Sequence, residues 1–411
     1  MAFLYFRLFV MMFLQFAIWG AWAPVLGAVL INKLGLTGTQ VGWVFSLMPL
    51  ACMLSPFLGG QIADRYVPTQ IFLAICHLAT GACLLVLSVH TEANDYGKIQ
   101  LWMFIACLFY APTLALTSSL AFHHMKKVER DFGLVRVGGT IGWIVMGLLL
   151  SAWRGGRLAG VLPEAPVSDC LLLAGWCAIA MGVYCLTLPH TPPAREGADP
   201  LAFRKALGLL KDPVFAIFMA ISFVVTTELQ FYYVLTSPFL EGIGVASDKV
   251  PAYMTLAQWA EIGVMALALP ICLPVLGIRK TLAIGVIAWP LRYIVFSIGH
   301  PVWLVIASLT LHGFCYVFFF TVSQVYVDRV APKDIRASAQ GLLALITLGL
   351  GSFLGSMFCG WVQTHFTVDG VTNWQMVFAI PIALTVACAI AFMIFFKEPR
   401  AAEQAAKPAA A

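Results

Sequence analysis

Pro189-His-Thr-Pro-Pro-Ala-Arg-Glu-Gly-Ala-Asp-Pro200 is a polar, proline-rich stretch near the middle of a chain of 411 residues. About 20 mainly apolar residues are enough for a helix to cross a membrane. Six runs of that kind precede the stretch and six follow it, so it predicts a linker between two halves of six transmembrane helices. The runs span 7–31, 39–63, 69–90, 98–122, 133–153, 169–188, 212–237, 250–276, 279–299, 301–328, 336–364 and 372–396.

The composition supports the same fold class. The chain is 61% hydrophobic and 10% charged, whereas soluble domains average about 45–50% apolar and about 25% charged residues. We therefore expect an all-α polytopic membrane protein. Its predicted parts are an N-terminal half over 1–188, a linker with an amphipathic surface helix over 189–211, a C-terminal half over 212–397 and a disordered tail over 398–411.

The distribution of Lys and Arg predicts the orientation of the helices. With both termini in the cytoplasm, 18 of the 24 Lys and Arg residues lie on the cytoplasmic side and 5 on the outer side, and Arg292 lies within a run. Positive residues concentrate in cytoplasmic loops. We therefore expect both termini to be cytoplasmic, and we read the basic residues as topology signals rather than as contacts to nucleic acid.

Polar side chains within the apolar runs are candidate binding residues, because such groups are costly in a membrane and face a cavity or a partner. Five runs place polar and aromatic residues three or four positions apart, on one helix face. Aromatic rings and amides suit a neutral, hydroxyl-rich ligand that carries a ring, although plain interhelical packing gives similar patterns. The residues are Gln15, Trp19, Arg136, Thr140, Trp143, Gln230, Tyr233, Gln258, Glu261, His312 and Tyr316.

Glu261 is the first candidate to carry a proton, because carboxyl groups deep in a membrane segment are rare and mostly functional. His312 is the second candidate, since the unperturbed pKa of histidine lies near 6.5. Glu228 is a weaker candidate, and its alternative role is that of a structural partner for Arg136 or Arg292.

Catalytic, metal and cofactor motifs are not evident in the sequence. The 11 Cys residues are scattered, without a Cys-x-x-Cys pair or a Cys/His cluster. His123 and His124 are adjacent, so that their side chains point apart. We therefore expect a protein that is not an enzyme and that uses no metal or other cofactor.

The loop after the second run reads Gly60-Gln-Ile-Ala-Asp64-Arg65 and resembles the Gly-x-x-x-Asp-Arg motif of the major facilitator superfamily. The twelve runs, the central linker and the expected orientation strengthen this resemblance. It implies the major facilitator fold and a conformational latch at Gly60, Asp64 and Arg65. A plain pair of charges at a helix end is the alternative reading.

Further stretches, in the same order along most of the chain, resemble the bacterial nucleoside–proton symporter family of that superfamily. They include Phe13-Leu-Gln-Phe-Ala-Ile-Trp-Gly-Ala-Trp22, Glu228-Leu-Gln230 and Arg336-Ala-Ser-Ala-Gln-Gly341. The resemblance implies a central nucleoside site lined from both halves. The matching positions are Arg136 and Thr140 on the fifth helix, Gln230 on the seventh, and Gln258 and Glu261 on the eighth, where the last pair implies ribose binding and proton coupling.

Other positions depart from the family pattern. Tyr233 stands where a family Asn would bind the base, and Trp143 replaces another aromatic residue. Val317 stands where the symporters carry a membrane Asp that is needed for coupling, and Val cannot titrate. Glu261 then carries the proton alone, or His312 assists it, or transport is uncoupled.

The sequence thus predicts a secondary transporter of the bacterial inner membrane that imports nucleosides by alternating access together with a proton. One alternative is a carrier of a sugar or of another small aromatic or hydroxylated solute. Another is an uncoupled nucleoside facilitator. The expected partners are the small-molecule substrate, protons and the lipid bilayer, and we expect a monomer.

Overall fold

The computed structural model of this chain describes residues 2–55, 67–90, 95–126, 128–192, 200–332 and 335–396. Ten helical stretches in this part of the chain are long and apolar enough to cross a membrane. One of them, Val250–Ile298, contains two spans, and Asp169–Cys185 is an additional, shorter apolar helix. The described residues therefore form twelve apolar spans, in agreement with the sequence.

The first six spans are numbered here in chain order. They are α1 (Ala2–Trp22, continued by Leu26–Ala28 and the π-helical Val29–Lys33), α2 (Gly38–Ser55), α3 (Thr69–Val89), α4 (Tyr96–His124), α5 (Val128–Arg154) and α6 (Asp169–Cys185). The helix Pro200–Gly208, followed by the 3-10 turn Leu209–Lys211, packs against the start of the eleventh span. This helix lies within the stretch 189–211, where the sequence predicts a linker with an amphipathic surface helix.

The second six spans contain several π-helical turns. They are α7 (Pro213–Gly242), α8 (Val250–Met254, Leu256–Gly263, Val264–Ala268 and on to Gly277), α9 (278–298), α10 (Val302–Ser308, Leu311–Cys315, Tyr316–Thr321 and Val322–Val330), α11 (Arg336–Ala344, Leu345–Gly351 and Ser352–His365) and α12 (Trp374–Phe395). A short hairpin of β1 (Thr367–Val368) and β2 (Val371–Thr372), which the sequence did not predict, joins α11 to α12.

Gly277 separates α8 from α9. Its φ of 76° and ψ of 171° lie outside the helical region, and glycine adopts positive φ without the steric cost that a Cβ atom imposes. The chain therefore reverses at one residue, close to the gap between the two runs in the sequence.

Small residues let helices of the two halves approach each other closely. Gly38 and Gly42 are four residues apart on α2 and lie against the backbone of α11 at Gly360 and Ser356. Such small-xxx-small faces are typical of helix pairs in membranes. The halves also meet where α1 packs on α7 and where α5 packs on the start of α8.

The hydrogen bonds that join the halves within the described residues lie at the end of the bundle away from the two chain termini, here called the distal end. The Asn32 side chain donates to Glu241 at 2.7 Å, and the Ser151 hydroxyl donates to the Asp248 carbonyl at 2.6 Å. The Thr39 amide donates to the Thr364 hydroxyl at 2.8 Å. The distal end is therefore closed in this conformation.

Candidate functional site

A cavity of about 300 Å³ lies between the two halves. Its walls come from α1, α2, α4 and α5 on one side and from α7, α8, α10 and α11 on the other. The cavity brings together nine of the eleven side chains that the sequence singled out as substrate-binding candidates. They are Trp19, Arg136, Thr140, Trp143, Gln230, Tyr233, Gln258, Glu261 and Tyr316.

Arg136 is the cation of the N-terminal wall. Its guanidinium carbon lies 4.0 Å from the centre of the Phe16 ring, a cation–π contact that holds the side chain on α1. Gly139 lies directly beside this contact. A Cβ atom at Gly139 would come 2.6 Å from the Phe16 ring and 2.8 Å from the Arg136 guanidinium.

Glu261 and Gln258 face the cavity from α8, one helical turn apart. Glu261 interacts electrostatically with Arg136 on the opposite half, yet the two described side chains form no direct ion pair. The buried amide oxygen of Gln258 has no hydrogen-bond partner. The wall therefore offers a carboxyl group and an amide that are not already occupied by protein groups, as a ligand site requires.

Gln230 presents a fixed amide from α7. Its nitrogen donates to the Ser352 hydroxyl at 3.2 Å, and its oxygen accepts from the Ser356 hydroxyl at 3.2 Å. Both serines belong to α11, and Ser352 also lines the cavity. These two bonds orient the Gln230 amide before any ligand arrives.

Aromatic rings cover much of the remaining wall. The rings of Trp19 and Trp143 lie 5.9 Å apart at 56°, so that α1 and α5 offer one tilted aromatic pair. Tyr233 and Tyr316 line the side of the C-terminal half. Stacking on such rings is a common way to hold a planar heterocycle.

Gln15 and His312 do not line this cavity, in contrast to the sequence-based expectation. The Gln15 amide donates to the Thr113 hydroxyl at 2.8 Å, because α1 packs directly on α4 at this level. His312 is fully buried, and its Nδ1 lies 3.1 Å from a guanidinium nitrogen of Arg292. Both side chains therefore sit one layer behind the wall.

The sequence singled out two further features, Val317 and the predicted latch, and the structure describes only the first. Val317 is fully buried in an apolar cluster with Val264 and Phe318, between α10 and α8, so this position contributes no ionisable group. The predicted latch residues Gly60, Asp64 and Arg65 lie outside the described residues.

Sequence reasoning missed the contribution of α2. Phe45, Met48, Pro49 and Cys52 line the cavity, and their spacing of three, four and seven positions was the available signal. An apolar helix face without charge is equally typical of contact with lipid or with the protein core, so the spacing alone did not indicate a binding site.

Twelve helices in two halves around a shared cavity define a membrane transporter of the major facilitator fold. Among solved structures of this fold, a D-xylose-proton symporter has a TM-score of 0.73 at 14% identity, covering 96% of this chain and 98% of that chain. At this identity the likeness concerns the fold alone.

The model of the nucleoside H⁺ symporter family matches residues 2–401, and the chain belongs to this family. The xanthosine permease of Escherichia coli (strain K12) is 31% identical over 411 residues, which cover 95% of each chain. The protein YegT of the same strain is 34% identical over 406 residues, covering 95% of this chain and 93% of YegT. A crystal structure of the nucleoside transporter NupG has a TM-score of 0.84 at 28% identity, covering 96% of this chain and all of that chain. The predicted fold and family are thus confirmed, and these relatives are transporters and permeases rather than enzymes.

Proposed function

We propose that this protein imports nucleosides into the bacterial cell by alternating access, together with a proton. The observation that carries the proposal is the composition of the central cavity, in which unpaired amide and carboxyl groups of one half face aromatic rings and a guanidinium of the other. A volume of about 300 Å³ suits a ligand of nucleoside size, since small-molecule sites start at about that volume.

Each wall then has its own part in binding. Gln258 and Glu261 hydrogen-bond the ribose hydroxyls, because the amide oxygen and the carboxyl oxygens accept from vicinal O–H groups. Trp19, Trp143, Tyr233 and Tyr316 enclose the base, and Gln230 bonds its edge. Arg136 and Thr140 close the site from α5. Gln15 and His312 support this wall from behind, and Gly60, Asp64 and Arg65 form a latch on the cytoplasmic side.

Glu261 is the proposed proton-coupling group. When the site is empty, the carboxylate faces Arg136 across the cavity. A proton and a nucleoside together neutralise and cover it, which lowers the cost of enclosing the carboxyl group when the two halves close over the site. Transport of the nucleoside is then tied to transport of the proton.

The proposal is tested with the full-length protein in proteoliposomes. We expect labelled uridine or adenosine to accumulate when an inward proton gradient is imposed, and to equilibrate only when the gradient is absent. Failure to take up either nucleoside would contradict the substrate assignment. Uptake of equal extent with and without the gradient would favour the uncoupled nucleoside facilitator. Uptake of a sugar or a small aromatic compound, but of neither nucleoside, would favour a carrier of that other solute.

Replacing Glu261 by Gln tests the coupling role directly. We expect accumulation driven by the gradient to disappear and the apparent Kd for nucleoside to rise by about tenfold, or about 1.4 kcal/mol, near the upper end of what one hydrogen bond contributes. Glu164, an exposed residue between α5 and α6, gives the matched control Glu164→Gln. Full accumulation by Glu261→Gln would remove Glu261 from the mechanism.

The proposed placement is the inner membrane, with a monomeric protein and both termini in the cytoplasm. The excess of Lys and Arg on that side supports it. A fluorescent protein fused after Ala411 should fluoresce, whereas alkaline phosphatase fused there should be inactive, because that enzyme folds only outside the cytoplasm. The reverse result would overturn the orientation.

A further inference from the structure

A carboxyl group, a guanidinium and an imidazole are enclosed within the C-terminal half, outside the lining of the cavity. They are Glu228 on α7, Arg292 on α9 and His312 on α10, and none of them is exposed. We call them the inner charge cluster. Enclosing such groups in a membrane protein is costly, and they therefore mark function more often than packing.

Glu228 is the least satisfied member of the inner charge cluster. In the part of the chain that the structure describes, neither carboxyl oxygen has a hydrogen-bond partner, although the main-chain carbonyl of Glu228 accepts from the Tyr293 hydroxyl at 2.6 Å. Arg292 is the charged group that acts on it among the described residues, and the two form no direct ion pair. A buried carboxylate is stable only when it is paired, so this arrangement suits the neutral acid.

The surroundings of Glu228 contain few other groups that exchange protons. Tyr293 of α9, Cys315 of α10 and Cys388 of α12 interact with it electrostatically. The helices α1 and α11, which also pack on α7, contribute no charged group from the described residues. The charge state of Glu228 therefore depends on its enclosure, which favours the neutral acid, and on where Arg292 is held, which favours the carboxylate.

Arg292 is bound to other partners in this conformation. One guanidinium nitrogen lies 3.1 Å from Nδ1 of His312, and the guanidinium carbon lies 4.4 Å from the centre of the Tyr232 ring and 4.6 Å from that of Trp289. Its Nε has no hydrogen-bond partner. A free donor on Arg292 and free acceptors on Glu228 are thus enclosed in the same half without being joined.

A stack of rings links the inner charge cluster to the cavity. The His312 ring stacks on Tyr232 at 4.6 Å and on Tyr316 at 5.5 Å, and Tyr316 lines the cavity. The π-helical segment Tyr316–Thr321 begins at the last ring of this stack, and Pro290 lies two residues before Arg292. Both features weaken the regular helix and allow local rearrangement.

We propose that Glu228 is a second proton-binding residue of the transport cycle, and that Arg292 moves from His312 to Glu228 when this proton leaves. The proton passes from the carboxyl group to water, and the carboxylate that remains pairs with Arg292. His312, no longer held by Arg292, can then shift against the stacked Tyr316 ring, and this changes the cavity wall that Tyr316 forms. This inference rests on the proposed proton-coupled transport and adds to it a residue that does not touch the substrate.

The decisive variant is Glu228→Gln, which mimics the neutral acid permanently. In proteoliposomes we expect its Kd for nucleoside to stay within about twofold of the wild-type value, because residue 228 lies outside the cavity. Exchange of labelled for unlabelled nucleoside at equal pH should persist, whereas accumulation driven by a proton gradient should be lost. Glu261→Gln, by contrast, should also weaken binding.

If Glu228→Gln accumulates nucleoside to the same ratio of inside to outside concentration as the wild type, the inference is overturned and the proposed function stays intact. If wild-type protein itself accumulates no nucleoside, the proposed function fails instead. The double variant Glu228→Gln/Arg292→Gln removes the acid and the guanidinium together, so that neither is left enclosed without the other, and this guards against misfolding. It should bind nucleoside without accumulating it, and loss of binding in both variants would assign the pair to folding and overturn the inference.

Discussion

At the scale of single residues, the position of the Arg136 guanidinium depends on a glycine. Gly139 leaves the space in which Arg136 lies over the Phe16 ring. The contact keeps a cation at the cavity wall that forms no ion pair with a carboxylate of the described residues. Arg136 can therefore interact with Glu261 across the cavity and with a ligand. A methyl group at residue 139 would occupy this space.

We predict that Gly139→Ala displaces Arg136 and raises the Kd for nucleoside by about tenfold, or about 1.4 kcal/mol. Gly133 lies on the same helix, and a Cβ atom added there would meet no atom within 4 Å, so Gly133→Ala should leave the Kd unchanged. Binding to detergent-purified protein, measured by calorimetry, checks both values. Equal affinities for the two variants would show that the position of Arg136 does not matter for binding.

At the scale of helices, Gly277 decides where α8 ends and α9 begins. Its φ of 76° and ψ of 171° fall in a region that essentially only glycine adopts, and a residue with a Cβ atom pays about 1–3 kcal/mol there. Because no longer loop joins the two helices, the neighbouring residues cannot easily adjust their backbone angles to accommodate a Cβ atom at residue 277.

We predict that Gly277→Ala lowers the free energy of unfolding of the purified protein by about 1–3 kcal/mol, and with it the melting midpoint. The control is Gly263→Ala on α8, where the backbone is helical and a Cβ meets no atom within 4 Å. That change should be neutral or slightly stabilising, since alanine favours the helix. Melting of both variants in the same detergent is the measurement, and an unchanged midpoint for Gly277→Ala would contradict the prediction.

At the scale of the whole molecule, Arg154 connects the two halves at the closed distal end. Its guanidinium donates to the Asp169 carboxylate at 2.6 and 2.8 Å within the N-terminal half. It also donates to the Ser247 carbonyl of the C-terminal half at 3.3 Å. The ion pair holds the arginine in place, and the third bond contributes to distal closure.

We predict that Arg154→Gln/Asp169→Asn shifts the molecule towards a distally open conformation. The double change removes the crossing bond without leaving the buried Asp169 charge unpaired, which alone would cost about 3–5 kcal/mol. Spin labels at Lys33 and Asp369, on exposed distal sites of the two halves, should show a larger population of long distances. Arg157→Gln, an exposed neighbour, is the control, and identical distance distributions would refute the gating role.

Much of the cavity was predictable because helical spacing is a local property. Trp19, Trp143, Gln230 and Tyr233 were found from the face that each occupies, and all four line the cavity. Spacing predicts the helix face on which a side chain lies, but not whether the side chain reaches the cavity or lies behind its wall. For this reason Gln15, on the same face as Trp19, was expected in the wall and instead bonds Thr113 behind it.

The sequence by itself determined the apolar spans, the fold class and the family, because length, hydropathy and motifs are written along the chain. The tertiary structure alone decided which groups meet across helices. It assigned Arg292 rather than Arg136 as the neighbour of Glu228 within one half, and it joined His312 to Arg292. Contacts of this kind depend on how helices far apart in sequence are packed, and a single chain's periodicity carries no information about that distance.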